Sequence, residues 1–285
     1  MNWEKAKKIV IITLIILNAV LFGLNLEKDK EYTLTQAREN NAYAVLAKND
    51  IGIYTAIIKR FEPMREISVT IPDISRSTLK SLFFESDEAT TLAIEDTGAV
   101  IFSKTKKVSV ENNRISFNCP EGTGEIQNFS RETAEAAADA FLSGKESLLK
   151  NLKSNGSTKL EDGYAVEYYG SFMGNKIFCS YARVKVTQEG VISMSAVCFD
   201  IGGFVGNKNA ICAPDEALLT LVHELKPASD GKAWFITKME IGYDIEESGE
   251  IAGDGGLRLI PCYYIYLQDM EDPVVINAYT NRIKT

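Results

Sequence analysis

Residue types able to do chemistry are sparse in this chain, and their spacing suits no common site. The single histidine, His223, falls within an amphipathic helical pattern. With no second histidine and no serine or cysteine motif beside it, it builds no typical zinc site and serves no nucleophile. No G-x-S-x-G elbow occurs. The five cysteines stand at 119, 179, 198, 212 and 262, an odd number without C-x-x-C or metal spacing. They read as buried small hydrophobes, with one disulfide open to an exported domain. Glu85-Ser86-Asp87-Glu88 offers carboxylates but lacks the alternation and glycine of a calcium loop. Gly202-Gly203-Phe204-Val205-Gly206-Asn207-Lys208 lacks the Gly-Lys-Ser/Thr of a phosphate loop and reads as a linker. No catalytic residue, metal or cofactor is therefore expected. Tyrosines are more suggestive. Tyr263, Tyr264 and Tyr266 share one strand-like run, where Tyr264 and Tyr266 point one way and Tyr263 the other. They fill a core or line a protein interface.

The elements that position these residues begin with an apolar segment. Ile9 to Leu26 carries no charge, follows Lys5, Lys7 and Lys8, and ends at Glu27-Lys28-Asp29-Lys30-Glu31. Eighteen such residues at ~1.5 Å rise span about 27 Å, close to a bilayer core. The lysines put the N-terminus in the cytoplasm. Ala19 and Gly23 are four apart and precede Leu24-Asn25-Leu26-Glu27, a poor cleavage context, so an uncleaved anchor is expected rather than a signal peptide. On this helix Asn18 and Asn25 fall on nearly one line, and Ala19 and Gly23 form a small-xxx-small pair with Phe22 between. Asn18, Ala19, Phe22, Gly23 and Asn25 are thus the candidate contact with a partner helix.

Setting aside Glu4, Lys5, Lys7 and Lys8, the 31 basic and 39 acidic residues fall to 28 and 38, a net of −10. That balance excludes a nucleic-acid footprint and disfavours adhesion to anionic lipid. Beyond the anchor, helical and strand-like patterns alternate. Thr33-Leu34-Thr35-Gln36 predicts a capping box at Thr33 and a helix to about Leu46. Strands are predicted over 66–71, 79–84, 90–94, 99–103, 107–110 and 114–118, with turns at Asp96-Thr97-Gly98 and Asn112-Asn113. Ser130 caps an alanine-rich helix over 133–142. A polar loop, Ser154-Asn155-Gly156-Ser157, then precedes strands over 164–169, 177–186 and 191–199. Pro214, Asp215 and Glu216 open a second helix that Pro227 ends. Strands over 234–245, 257–267 and 274–279 follow, interrupted by an acidic, glycine-rich loop over 246–256. The helix-strand-strand-strand plan thus occurs twice, about 83 residues apart.

The two ends of the chain carry a family resemblance. Met1-Asn2-Trp3-Glu4-Lys5-Ala6-Lys7-Lys8-Ile9, running into an Ile/Leu-rich helix, resembles the opening of the YycI (WalI) family. Leu257-Arg258-Leu259-Ile260-Pro261 with the following aromatics, then Val275-Ile276-Asn277-Ala278-Tyr279-Thr280, is similar to that family's closing strands. Cys262-Tyr263 stands where a Trp-Arg pair is common, and Asn281 replaces a usual glycine, a mild change because Asn tolerates the left-handed turn. The resemblance implies a membrane-anchored accessory regulator of a two-component system controlling cell-wall homeostasis. It would act with a YycH-type sister regulator on a YycG (WalK)-type sensor histidine kinase, through transmembrane-helix and extracytoplasmic contacts and not as an enzyme.

The sequence therefore predicts an α+β protein, with a single N-terminal transmembrane helix and an extracytoplasmic region of repeated helix-plus-antiparallel-sheet units. Its parts are a cytoplasmic tail (1–8), the span (9–26), an N-terminal α+β segment (27–128) and two helix-β-β-β units (129–208 and 209–285). It would sit single-pass in the cell membrane, N-terminus cytoplasmic and C-terminal domain extracellular. A homo-oligomer joined through the tyrosines is a further contact the sequence allows. The alternatives are an extracytoplasmic ligand-binding or protease-inhibitor-like module, and a wall-modifying enzyme.

Overall fold

The computed structural model describes residues 3–85, 88, 90–95, 98–111, 113–225, 233–246, 256–270 and 272–284, the side chains of 23–30, 94, 95 and 98 excepted. The helices are α1 (Trp3–Glu31), α2 (Gln36–Lys48), α3 (Arg76–Phe83), α4 (Arg131–Ser143) and α5 (Pro214–Glu224). The strands are β1 (Ile51–Ile53), β2 (Met64–Thr70), β3 (Thr91–Glu95), β4 (Gly98–Phe102), β5 (Lys107–Glu111), β6 (Arg114–Asn118), β7 (Leu152–Lys159) and β8 (Tyr164–Phe172). They continue as β9 (Asn175–Thr187), β10 (Gly190–Val197), β11 (Asp200–Asn209), β12 (Trp234–Ile245), β13 (Leu257–Leu267), β14 (Val274–Asn277) and β15 (Arg282–Ile283). The chain divides into two compact units. One takes Arg65–Asn207 and Ile241–Cys262, the other Met1–Met64, Lys208–Glu240 and Tyr263–Thr285.

In the first of these units β3, β4, β5 and β6 form an antiparallel meander. Antiparallel pairing continues from β6 to β10, β9, β8 and β7. The parallel pairing of Tyr243 in β12 with Ile177 in β9 makes the unit's pairing mixed. Alternation along β9 sends Ala182, Val184 and Val186 into the core while Arg183 faces solvent, as a period of two requires. Helix α4 closes this core. Ser130 accepts a hydrogen bond from the Thr133 amide while the Thr133 hydroxyl accepts one from the Ser130 amide, satisfying two donors that the first turn leaves open. Ala134, Ala138 and Leu142, four residues apart, form its buried stripe against the strands. The Phe117 ring lies 5.6 Å from Phe83 of α3 and 5.0 Å from Phe141 of α4, tying both helices to β6. Each such ring pair adds ~0.5–1.5 kcal/mol beyond buried area.

In the second unit β1 runs parallel to β12, from Ile51 opposite Trp234 to Ile53 opposite Ile236. β14 pairs with β13 and β15. Helix α2 packs on α5, burying Ala42 and Leu46 of the one and Ala217, Leu218 and Leu221 of the other. Arg38 fastens the two helices. Its guanidinium donates to both Asp215 oxygens at 2.7 Å and to Glu216 at 3.0 Å. The hydrogen bonds to Asp215 raise the Arg38 pKa above its ordinary value, against the opposing pull of burial. Glu216 also accepts from the Ala213 amide, capping α5 where no capping side chain exists.

Several sequence expectations change. No helix among the described residues is long and apolar enough to cross a membrane. Within α1 the described uncharged stretch runs from Ile9 to Phe22, and these fourteen residues at ~1.5 Å rise cover about 21 Å, short of the ~30 Å hydrocarbon core. This overturns the transmembrane span over 9–26, and with it the single-pass placement in a cell membrane with opposite ends on opposite sides. The expected repeated helix-plus-antiparallel-sheet fold also gives way, to a mixed strand arrangement with five helices among the described residues. Residues 79–83, expected as strand, are helical, because Ser75 caps the Thr78 amide at 3.1 Å and Leu79 and Phe83 then share one buried face. The cap of α2 is Thr35, not Thr33, with the Arg38 amide on its hydroxyl. The polar loop at 154–157 lies within edge strand β7, and the supposed linker 202–208 within β11. All five cysteines are free thiols. The turn residues Asp96, Thr97 and Asn112, Pro227, and most of the acidic loop (247–255) lie outside the described residues.

Candidate functional site

Helix α1 holds the residues expected to meet a partner. Leu, Lys and Ala favour helix, and Thr13 turns its hydroxyl onto the Ile9 carbonyl at 3.0 Å instead of seeking a partner outside. From Ile9 to Phe22 every residue is exposed. Ile9 retains 64% of its accessible surface, Ile15 61% and Phe22 66%. The apolar residues occur all round the helix, so α1 has no polar face to give to water. Successive residues advance by ~100°, which places Phe22 ~40° from Asn18 and Ala19 on the adjoining stripe. Asn18, Ala19 and Phe22 are therefore one exposed patch: an amide, a small gap and a ring. The side chains of Gly23 and Asn25 lie outside the described residues.

The three strand tyrosines divide as their alternation dictates. Tyr263 is fully buried and donates its hydroxyl to the Cys212 carbonyl at 2.8 Å, so it belongs to the core and not to a surface. Burial raises its pKa far above the ordinary phenol value. Tyr264 and Tyr266 are half-buried on the other face, where the Lys238 ammonium lies 5.4 Å from the Tyr266 ring and pairs with Glu240 at 3.0 Å. The cation-on-ring contact holds a flexible lysine across the tyrosine.

His223 is exposed on α5. No group of three or more His, Cys, Asp or Glu among the described residues could hold a metal ion. Two polar constellations escaped the sequence reading: Arg38 with Asp215, and Tyr168, whose hydroxyl donates to Asp139 at 2.6 Å. Their partners are 177 and 29 residues apart, so no local motif announces them.

Neither a protein-family model nor a curated protein matches the chain. Solved structures do. An uncharacterized protein from Eubacterium rectale ATCC 33656 superposes with a TM-score of 0.56 at 10% identity, over 83% of this chain and 91% of that one. The Bacillus megaterium YpeB C-terminal domain aligns with a TM-score of 0.38 at 13% identity, over 75% of this chain and 96% of that one. The first likeness is one of fold alone.

Proposed function

We propose that this chain is a non-catalytic accessory regulator of a sensor histidine kinase in a two-component system controlling cell-wall homeostasis, of the YycI type. The observation that supports this most is the exposed apolar helix α1. Covering Ile, Leu and Phe side chains that are about half exposed contributes roughly 1 kcal/mol each. With eleven large apolar side chains between Ile9 and Phe22, α1 is a strong binding element. The YycI-like opening and closing residues suggest which partners it meets. A helix apolar on all sides is not covered by one neighbour, so the reading calls for at least two partner helices. The kinase and a YycH-type sister regulator would supply them. Regulation then follows if α1 fits one signalling state better than another, and a preference of ~1–3 kcal/mol changes the state ratio 5- to 150-fold.

The test is pairwise association in cells between the full chain and the kinase, scored for Asn18→Leu and Phe22→Ala. Loss of association in either variant, at unchanged protein level, is the expected result. Association as strong as the parent chain's in both variants overturns the helix-contact reading.

A further inference from the structure

We propose that the cleft at the C-terminal end of α4 binds an amphipathic primary ammonium compound, an alkyl body carrying one –NH₃⁺ group. The cleft has a volume of about 460 Å³, within the range of small-molecule sites. It lies wholly within one unit, and this inference stands apart from the helix reading above.

Its electrostatics are one-sided. The last turn of a helix carries the negative end of the backbone dipole, and α4 has no basic residue there. Asp139 stands one turn before that end, exposed at the cleft wall. Its Oδ1 accepts the Tyr168 hydroxyl at 2.6 Å, which orients the carboxylate and leaves Oδ2 without a described partner. Glu146, also exposed at the wall, has no described partner either. The cleft's one cation, Lys150, is committed to Asp200 at 2.8 Å. A positive occupant meets two carboxylates and a helix terminus.

The same geometry narrows the cation. A guanidinium binds best as a fork on both oxygens of one carboxylate. Asp139 cannot offer both, because Tyr168 already holds one. A compact ammonium, with three separate donors, can instead share Oδ2 of Asp139 and the Glu146 carboxylate. The apolar body follows from the rest of the wall, where Leu142 and Leu149 are buried and Leu152 half-buried. Tyr168 is only 6% exposed, so its position is set by packing before any ligand arrives.

The experiment is calorimetric titration of the full chain with hexylammonium, against hexanol and hexylguanidinium. Saturable binding of hexylammonium is expected, with hexylguanidinium weaker and hexanol silent. Asp139→Asn should weaken hexylammonium about 10-fold or more, the scale of one lost charge-assisted hydrogen bond. Glu146→Gln, on a second exposed side chain, should weaken it several-fold, and circular dichroism checks that both variants keep the fold. Any of three results overturns the proposal: no saturable binding of hexylammonium at millimolar concentration, hexanol binding equally well, or both folded variants binding like the parent.

Discussion

Lys145 is buried, only 7% exposed, just beyond the end of α4. Its ammonium donates to the Phe141 carbonyl at 2.6 Å and lies 3.7 Å from the Phe141 ring centroid and 5.2 Å from that of Phe83. Burial pushes its pKa down from 10.5 to about 8. Holding the charge in this site at pH 7 therefore costs ~3.4 kcal/mol relative to the unfolded chain. The carbonyl bond and the two rings offset part of that cost, so Lys145→Met, which keeps the stem and removes the amine, should change stability at pH 7 by little. The pH dependence is the discriminating quantity. Between pH 8 and 10.5 the unfolded chain binds the proton that the folded lysine has released, so this residue makes stability rise with pH across that window. From pH 7 to pH 9.5 the gain is ~2 kcal/mol, and Lys145→Met should lack it. Urea unfolding of both proteins at the two pH values measures it, and subtracting one from the other removes the tyrosines and other shared titrations. A stability difference that stays constant within about 0.5 kcal/mol over that range refutes the claim that this amine is held charged in an apolar site.

Two further perturbations follow from the packing. Arg38→Met leaves the buried Asp215 carboxylate without its two 2.7 Å donors; because the Arg38 side chain is 40% exposed, the loss should be about 1–2 kcal/mol in urea unfolding, and no loss would remove Arg38 as the α2–α5 fastening. Gly122→Ala should destabilise by more than ~1 kcal/mol in thermal unfolding, since Gly122 has φ +76 and an added Cβ would lie 2.0 Å from the Glu189 carbonyl oxygen; an unchanged melting temperature would mean the loop moves freely away.

What could be read from residues alone was local. Ser130 with Thr133 and the alanine stripe announce α4, and 234–245 and 257–267 coincide with β12 and β13 because their apolar content is continuous and their ends are sharp. Asn281 adopts φ 52, the left-handed turn expected where a glycine is usual. Errors arose where the deciding partner is distant or the local signal is weak. The short apolar run around Leu82-Phe83-Phe84 does not distinguish strand from helix; the Ser75 cap decides it. β7 is polar almost throughout, because as an edge strand it gives little to the core and carries no alternation to recognise. The candidate sites follow the same division. The Asn18–Ala19–Phe22 patch is legible because three residues on one helix need only the helix to assemble them. The α4 cleft is not, because Tyr168 reaches Asp139 only after β8 has paired with β9 and α4 has settled on both.

That division bears on how the two proposed contacts can be told apart physically. The α1 patch needs no tertiary structure, so a helix carrying it can associate with partner helices even when the rest of the chain is destabilised. The α4 cleft exists only while its unit is folded: its carboxylate is aimed by a hydroxyl that is itself fixed by core packing. A core truncation such as Val184→Ala, at a residue with no exposed surface, should therefore lower ammonium binding in step with the folded fraction. Association through α1 should depend on that fraction far less. Binding at the cleft is thus coupled to the stability of its unit, whereas helix contact is coupled to sequence within a few turns.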